Sequence, residues 1–251
     1  MYTLKKSLGQ HFLRDENMVR RIIHSLQEHS FSRLLEVGPG GGALTKHLLQ
    51  MPGIDFKAVE LDNEKVDYLE NTYPAIKGKI INDSILDISA PFDEPFTIIG
   101  NFPYNISSQI LFKILEWKDK VEGMTGMFQK EVAQRVAAGP GSKTYGILSV
   151  LVQAFFEVSY LFEVHEQCFT PPPKVKSAVI RLLPRKQRLQ IENEKQFFTL
   201  VKTAFNQRRK TLRNAVKALF DEETLRMPVF DKRAEQLSVD DFVELNKLRG
   251  Y

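Results

Sequence analysis

The chain has 251 residues, 43% of them apolar and 26% charged, with a formal net charge of +4; this excludes intrinsic disorder and suits one large domain, or one domain plus a small one. No apolar run approaches the roughly 20 residues of a membrane span, and the first ten residues hold no apolar stretch of the secretory-signal kind. The single cysteine, Cys168, rules out a disulfide framework and a cysteine-based zinc cluster, so a cytoplasmic protein without membrane attachment or metal is expected.

In chain order, residues 15–29 read as a helix with Asp15 as N-cap and Met18, Ile22, Ile23 and Leu26 as its apolar stripe. Short apolar runs then alternate with helical spacing. Strands are expected at Arg33–Val37, Phe56–Glu60, Lys79–Asn82, Phe96–Gly100 and Met124–Phe128, and helices at 43–50, 62–72, 106–117 and 129–138. This alternation predicts a parallel sheet covered by helices. Residues 146–155 look helical. Glu157–Val164 and Lys176–Leu183 read as an antiparallel hairpin at the sheet edge, joined through Thr170-Pro171-Pro172-Pro173. Pro184 marks a boundary between a domain of residues 1–184 and an all-helical domain of residues 185–251. Helices are expected there at 193–206, 208–220, 231–235 and 238–247, the last opened by a Ser238/Asp241 capping box.

The charge is unevenly spread. Residues 1–184 carry 20 basic and 21 acidic side chains, whereas residues 185–251 carry 15 basic and 10 acidic. From Lys195 to Phe220 there are seven basic residues and no acidic one. A one-sided segment of this kind suits a polyanion, and it equally describes a solvated helix face. Arg209, Arg213 and Lys217 fall at i, i+4 and i+8, where like charges oppose one another unless a polyanion relieves them. Arg208 and Lys210 extend the cluster, and Lys5 and Lys6 add to the positive surface. Within Arg208–Arg213, structural pairing to Asp221 or Glu222 is the competing use.

The turn after the first strand, Gly38-Pro39-Gly40-Gly41-Gly42-Ala43, has glycine-x-glycine-x-x-alanine spacing, and Glu60 closes the next strand. Glycines let the backbone approach a ligand, and a carboxylate at that place accepts ribose hydroxyls. The pair fits a dinucleotide or S-adenosylmethionine (SAM) equally. Asp83, after the third strand, suits an adenine amino group or a plain loop cap.

Asn101-Phe102-Pro103-Tyr104 follows the fourth strand. This group suits methylation of a planar amine. The lone pair of an exocyclic adenine nitrogen is delocalised into the ring, and two acceptors aimed at its N–H groups favour a pyramidal, nucleophilic nitrogen. The Asn101 side-chain oxygen is one acceptor; the carbonyl of Phe102 or Pro103 is the other. Tyr104 offers a face to an unstacked base. Such a scheme needs positioning and electrostatics, with no general base.

With these residues in view, the chain resembles the ribosomal RNA adenine N6,N6-dimethyltransferases, and within them the bacterial KsgA type that acts on small-subunit rRNA. The likeness runs through Lys6–Leu13, Glu36–Gly40, Glu60–Asp62, Asn101–Ser107, Phe169–Val179 and Phe205–Asn214. It implies an α/β, Rossmann-like, seven-stranded class I SAM-dependent methyltransferase with a small all-helical C-terminal domain that binds RNA. It implies that His11 and Leu13 lie against the cofactor, that Gly38 and Gly40 sit under its methionine part, and that Glu60 holds the ribose. Asp83 would meet the adenine, Asn101 would stand between cofactor and base, and Phe169 would wall the base pocket.

It further implies a monomer acting on small-subunit rRNA in the immature small ribosomal subunit. Two departures stand out: many members have Asn at the place of His11 and Leu at the place of Phe102, whose bulk is expected beside the target base. The competing readings are a large-subunit rRNA adenine methyltransferase of the macrolide-resistance type and a ribosome assembly factor that only binds. A dehydrogenase accounts for Gly38 and Glu60 but not for Asn101–Tyr104.

Overall fold

The computed structural model describes residues 11–249; the stretch Lys5–Gln10 named above lies outside them. A two-residue strand, β1 (Phe12–Leu13), leads into α1 (Glu16–Leu26). Asp15 caps this helix by accepting from the Met18 N–H at 3.0 Å, and Val19, Ile22, Ile23 and Leu26 are buried. Then follow β2 (Arg33–Val37), α2 (Thr45–Leu48), β3 (Asp55–Val59), α3 (Asn63–Thr72), β4 (Ile80–Ile81), β5 (Phe96–Asn101), α4 (Ser107–Glu116), β6 (Val121–Gln129) and α5 (Lys130–Ala137). Every expected strand and helix of this stretch is present, with ends moved by a few residues, because each rests on a local apolar period.

After α6 (Ile147–Gln153) come β7 (Phe156–Val164), β8 (Phe169–Thr170) and β9 (Ser177–Pro184). Seven strands form one sheet in the order β4-β3-β2-β5-β6-β9-β7. The pairs β3/β4, β2/β3, β2/β5 and β5/β6 are parallel, and β9 runs antiparallel to β6. β7 is the edge strand, as the hairpin reading requires. β2 and β5 are almost wholly buried, as befits parallel strands covered on both faces. The chain leaves β2 toward β3 and β4 and returns to β5 on the other side of β2. That reversal opens a crevice beyond the C-terminal ends of β2 and β5, where ligands of open α/β sheets bind. β1 and β8 pair separately, Phe12 with Thr170 and Leu13 with Phe169.

Two compact units divide the chain: residues 1–133 with 159–184, and residues 134–158 with 185–251. The expected boundary at 184 is one crossing of this division, but 134–158 groups with the C-terminal helices rather than with the sheet. The reason is packing. Leu148 to Val152 of α6 are all buried, and α6 lies against α7 (Glu194–Asn206). Arg185 donates to Gln153 O at 2.8 Å, and Gly141 N donates to Glu235 O at 2.6 Å.

α7 is capped by Asn193 and buries Phe197, Leu200, Val201, Ala204 and Phe205. The helix expected over 208–220 is reduced to α8 (Leu212–Ala215). A turn over 207–210 precedes it, and 3-10 turns at Thr224–Arg226, Pro228–Asp231 and Ala234–Gln236 follow. Thr211 is extended, which breaks any helix entering from residue 208, and the Leu212 N–H is taken by Lys232 O at 2.8 Å rather than by a helical carbonyl. α9 (Val239–Lys247) starts with the expected capping box: Ser238 Oγ accepts from Asp241 N at 3.0 Å, and Asp241 accepts from Ser238 N at 2.8 Å.

Candidate active site

The turn after β2 passes through left-handed backbone at Gly38, Gly40 and Gly42, with φ of 67°, 57° and 81°. At Gly40 the positive φ coincides with a close approach: a Cβ there would stand 3.1 Å from the Phe12 ring, so any other residue would be strained and would have to push that ring aside. Gly42, which the glycine spacing passes over in favour of Ala43, is equally bound, since a Cβ would overlap the Tyr73 ring.

Glu60 follows β3 directly and is 7% exposed. Its Oε2 accepts from Gly40 N at 3.2 Å and its Oε1 from Asp62 N at 3.0 Å. The carboxylate therefore ties the glycine turn to the start of α3. Asn82 donates to the Glu60 carbonyl at 2.9 Å, bringing the end of β4 alongside. Asp83 is exposed and accepts from Ser84 N at 2.7 Å, the loop-cap geometry.

Asn101 ends β5, and its Nδ2 donates to His11 O at 3.0 Å. Phe102 N donates to Met127 O at 3.1 Å. The Phe102 ring is 1% exposed, 4.7 Å from the Phe128 ring, and packs over Gly100 and Gly126. Its bulk is thus absorbed by the sheet, whereas the sequence reading expects it beside the target base. Pro103 is extended, and its carbonyl accepts from Ser107 Oγ at 3.2 Å and from Ile106 N at 3.3 Å. Tyr104 bonds through its hydroxyl to Ser177 Oγ, and its ring lies 5.5 Å from that of His11, inclined by 29°. Burial pushes the Tyr104 phenol above its ordinary pKa.

A cavity of about 330 Å³ joins these parts. His11, Leu13, Gly38, Gly40, Glu60, Asp83, Asn101, Phe102, Pro103 and Tyr104 all line it. Phe169 does not: its ring is fully buried in the core, opposite Leu13 across the β1/β8 ladder. Its burial follows from being the apolar, inward-facing partner of that ladder.

Glu36 also lines the cavity, a residue the motif Glu36–Gly40 contains but to which the sequence reading gives no role. Its carboxyl is fully buried and accepts from Thr45 Oγ1 at 2.7 Å. Burial, with the charge of Glu60 adding to it, pushes its pKa up to about 8. A glutamate inside an apolar strand run was the available signal.

In the second unit, Arg208 donates to Lys143 O and Tyr145 O, each at 3.0 Å. Arg213 donates to Leu225 O and pairs with Asp231, both at 2.9 Å. Asp221, one expected partner, accepts instead from Thr224 N at 2.7 Å. Arg209, Lys210 and Lys217 are exposed. Because α8 spans four residues, Arg209, Arg213 and Lys217 share no helix face. Among the described residues no cluster of His, Cys, Asp and Glu is arranged to hold a metal, and no helix is long and apolar enough to cross a membrane.

The sequence profile of the family described as Ribosomal RNA adenine dimethylase matches residues 1–249. Ribosomal RNA small subunit methyltransferase A of Parabacteroides distasonis is 54% identical over 245 residues, covering 96% of this chain and 92% of that protein. The protein of the same name from Cytophaga hutchinsonii is 50% identical, covering 98% and 97%. Among solved structures, a dimethyladenosine transferase from Plasmodium falciparum superposes with a TM-score of 0.79 at 24% identity, over 94% of this chain and 96% of the other. The 23S rRNA methyltransferase ErmE gives 0.70 at 25% identity, over 94% and 99%. A match along the whole chain, on a fold whose crevice gathers the glycine turn, Glu60 and Asn101–Tyr104, has one meaning: the chain belongs to the ribosomal RNA adenine dimethylase family and is a SAM-dependent methyltransferase.

Proposed function

We propose that this enzyme dimethylates N6 of two adjacent adenosines in the 3′-terminal hairpin of small-subunit rRNA, acting as a monomer in the cytoplasm on the immature small subunit. The cavity suits the cofactor. It has apolar walls, one carboxylate, Glu60, that favours a cationic ligand, and a size within the range of small-molecule sites. When bound, SAM supplies an electrophilic methyl on sulfur. Glu60 would hold the ribose, Asp83 the adenine amino group, and Gly38, Gly40, Leu13 and the backbone of His11 the remaining wall.

The observation that carries the reaction is the hydrogen bond from Asn101 Nδ2 to His11 O. With its nitrogen engaged, Asn101 presents Oδ1 as an acceptor for one N–H of the target amine. Pro103 O is already used by Ser107 and Ile106, which favours the Phe102 carbonyl as the second acceptor. Two acceptors localise the lone pair on N6 and turn it toward the methyl group; the proton leaves after transfer. Tyr104, fixed by Ser177, stacks on the base. Phe169 supports Leu13 from the core. Arg209, Lys210 and Lys217 contact phosphates and position the RNA without reading its sequence. Arg208 and Arg213 shape the second unit that displays them.

The test is transfer of labelled methyl from SAM to undermethylated small-subunit particles and, separately, to large-subunit rRNA. Dimethyladenosine only in the small-subunit sample is the expected outcome. Label only in large-subunit rRNA would give the enzyme the other substrate, and no label with SAM bound would favour an assembly factor.

A further inference from the structure

The N-terminal strand and the turn between β7 and β9 meet around the catalytic asparagine. β1 pairs with β8, and Arg14 N donates to Cys168 O at 2.8 Å. One residue before β1, His11 reaches in three directions. Its carbonyl accepts from Asn101 Nδ2 at 3.0 Å, its Nδ1–H donates to Pro171 O at 2.8 Å, and its ring lies over Tyr104 at 5.5 Å. Pro171 O has no proton to give, so this contact fixes the tautomer with hydrogen on Nδ1. The same turn ends at Ser177, the partner of the Tyr104 hydroxyl. Residues separated by 90 and 160 positions are thereby joined through one residue, by its carbonyl and its imidazole.

A primary amide has two orientations of nearly equal shape and opposite polarity. In one, Asn101 offers an acceptor to the amine; in the other, it offers a donor that repels the amine's N–H groups. His11 O selects between them, because the flipped amide would set two acceptor oxygens against each other. The place of that carbonyl depends on the peptide of residue 11, and the ring holds this peptide at two points.

We propose that His11 is a positioning residue for methyl transfer: held between Pro171 O and the Tyr104 face, its side chain keeps its own carbonyl where it orients the Asn101 amide. The inference rests on Asn101 serving as an acceptor in the reaction. It gives the His11 side chain a duty distinct from touching the cofactor. A contact residue affects SAM affinity, whereas a positioning residue affects turnover once both substrates are bound.

The experiment compares wild type with His11→Ala, His11→Asn and Asn101→Ala. It measures kcat at saturating SAM and RNA, SAM affinity by calorimetry, melting temperature, and the Asn101 side-chain amide signal in ¹⁵N NMR without cofactor. His11→Ala is expected to lower kcat by about ten- to a hundredfold, the scale of a misplaced catalytic group. SAM affinity should stay within about threefold, on the scale of one modest hydrogen bond, and the Asn101 amide signal should move. His11→Asn, whose own N–H can donate to Pro171 O, should recover most of the turnover. Unchanged kcat in His11→Ala, a loss seen only in SAM affinity, or His11→Asn as slow as His11→Ala would each overturn the proposal. Full activity in Asn101→Ala would remove the acceptor reading itself, and the role of His11 with it.

Discussion

Glu36 shows how a single buried carboxyl links the site to pH. Its folded pKa of about 8 lies above the ordinary value of 4.5, so folding takes up a proton between these limits. The stability associated with the protonated form is complete below about pH 4.5, is lost as pH rises toward 8, and changes no further above that. Glu36→Gln keeps the acceptor for Thr45 and cannot ionise. It is expected to raise the melting temperature at pH 8 and to flatten its dependence between pH 5 and 8, read by thermal denaturation across that range. Wild-type and variant curves that stay parallel would deny the protonated form. Glu36 was legible as a buried acid in an apolar strand, but its place beside Glu60 was not, since that depends on the pairing of β2 with β3. Glu60, Asp83 and Asn101 were legible because each stands at a strand end that local pattern marks.

At the level of elements, the sheet accommodates Phe102 through glycine. Gly100 and Gly126 face its ring across β5 and β6, and a Cβ at Gly126 would overlap it. Gly126→Ala is expected to destabilise the fold by about 1–3 kcal/mol, the usual cost of overpacking. Phe102→Leu in the same chain should return at least half of that loss, and a chemical-denaturation cycle of the four proteins measures the coupling. Additive effects would mean that the ring and the glycine act independently.

Strands and long helices followed from apolar periodicity, with β7 at the sheet edge beside β9, and the caps at Asp15 and Ser238 followed from residue type and spacing. The helix expected over 208–220 did not form beyond Leu212–Ala215. Its apolar spacing at Leu212, Ala215 and Val216 was real, and those residues are buried. They reach the core from a short turn, however, with the Leu212 N–H given to Lys232 rather than to a helix. Periodicity reports which side chains are buried and leaves open whether one continuous helix buries them.

For the whole molecule, the basic C-terminal unit is the part whose chemistry charge counting predicts least well. Arg208 and Arg213 satisfy carbonyls and Asp231, while Arg209, Lys210 and Lys217 are exposed. Replacing these three by Ala is expected to weaken RNA binding with little change in SAM affinity. The slope of log affinity against log salt should fall by about one for each phosphate left without its cation. Titrations from 50 to 200 mM salt, about the range over which such pairings are resolved, check this; an unchanged slope would make the three ordinary surface. Arg213→Ala is the wrong probe for RNA, because it removes an ion pair inside the unit.

The alternation of strands and helices, the glycine turn, the acidic residue after β3 and the Asn-Phe-Pro-Tyr group after β5 are all legible along the chain. All of these arise from neighbours in the chain, where backbone period and glycine conformation act directly. Long-range packing sets the rest: residues 134–158 pack with the C-terminal helices, Phe102 and Phe169 turn into the core, and Arg208 and Arg213 are committed to carbonyls. It alone brought His11, Asn101 and Pro171 together. These features depend on contacts between distant residues, set by how the sheet is ordered and how the chain closes on itself, and no local pattern encodes them.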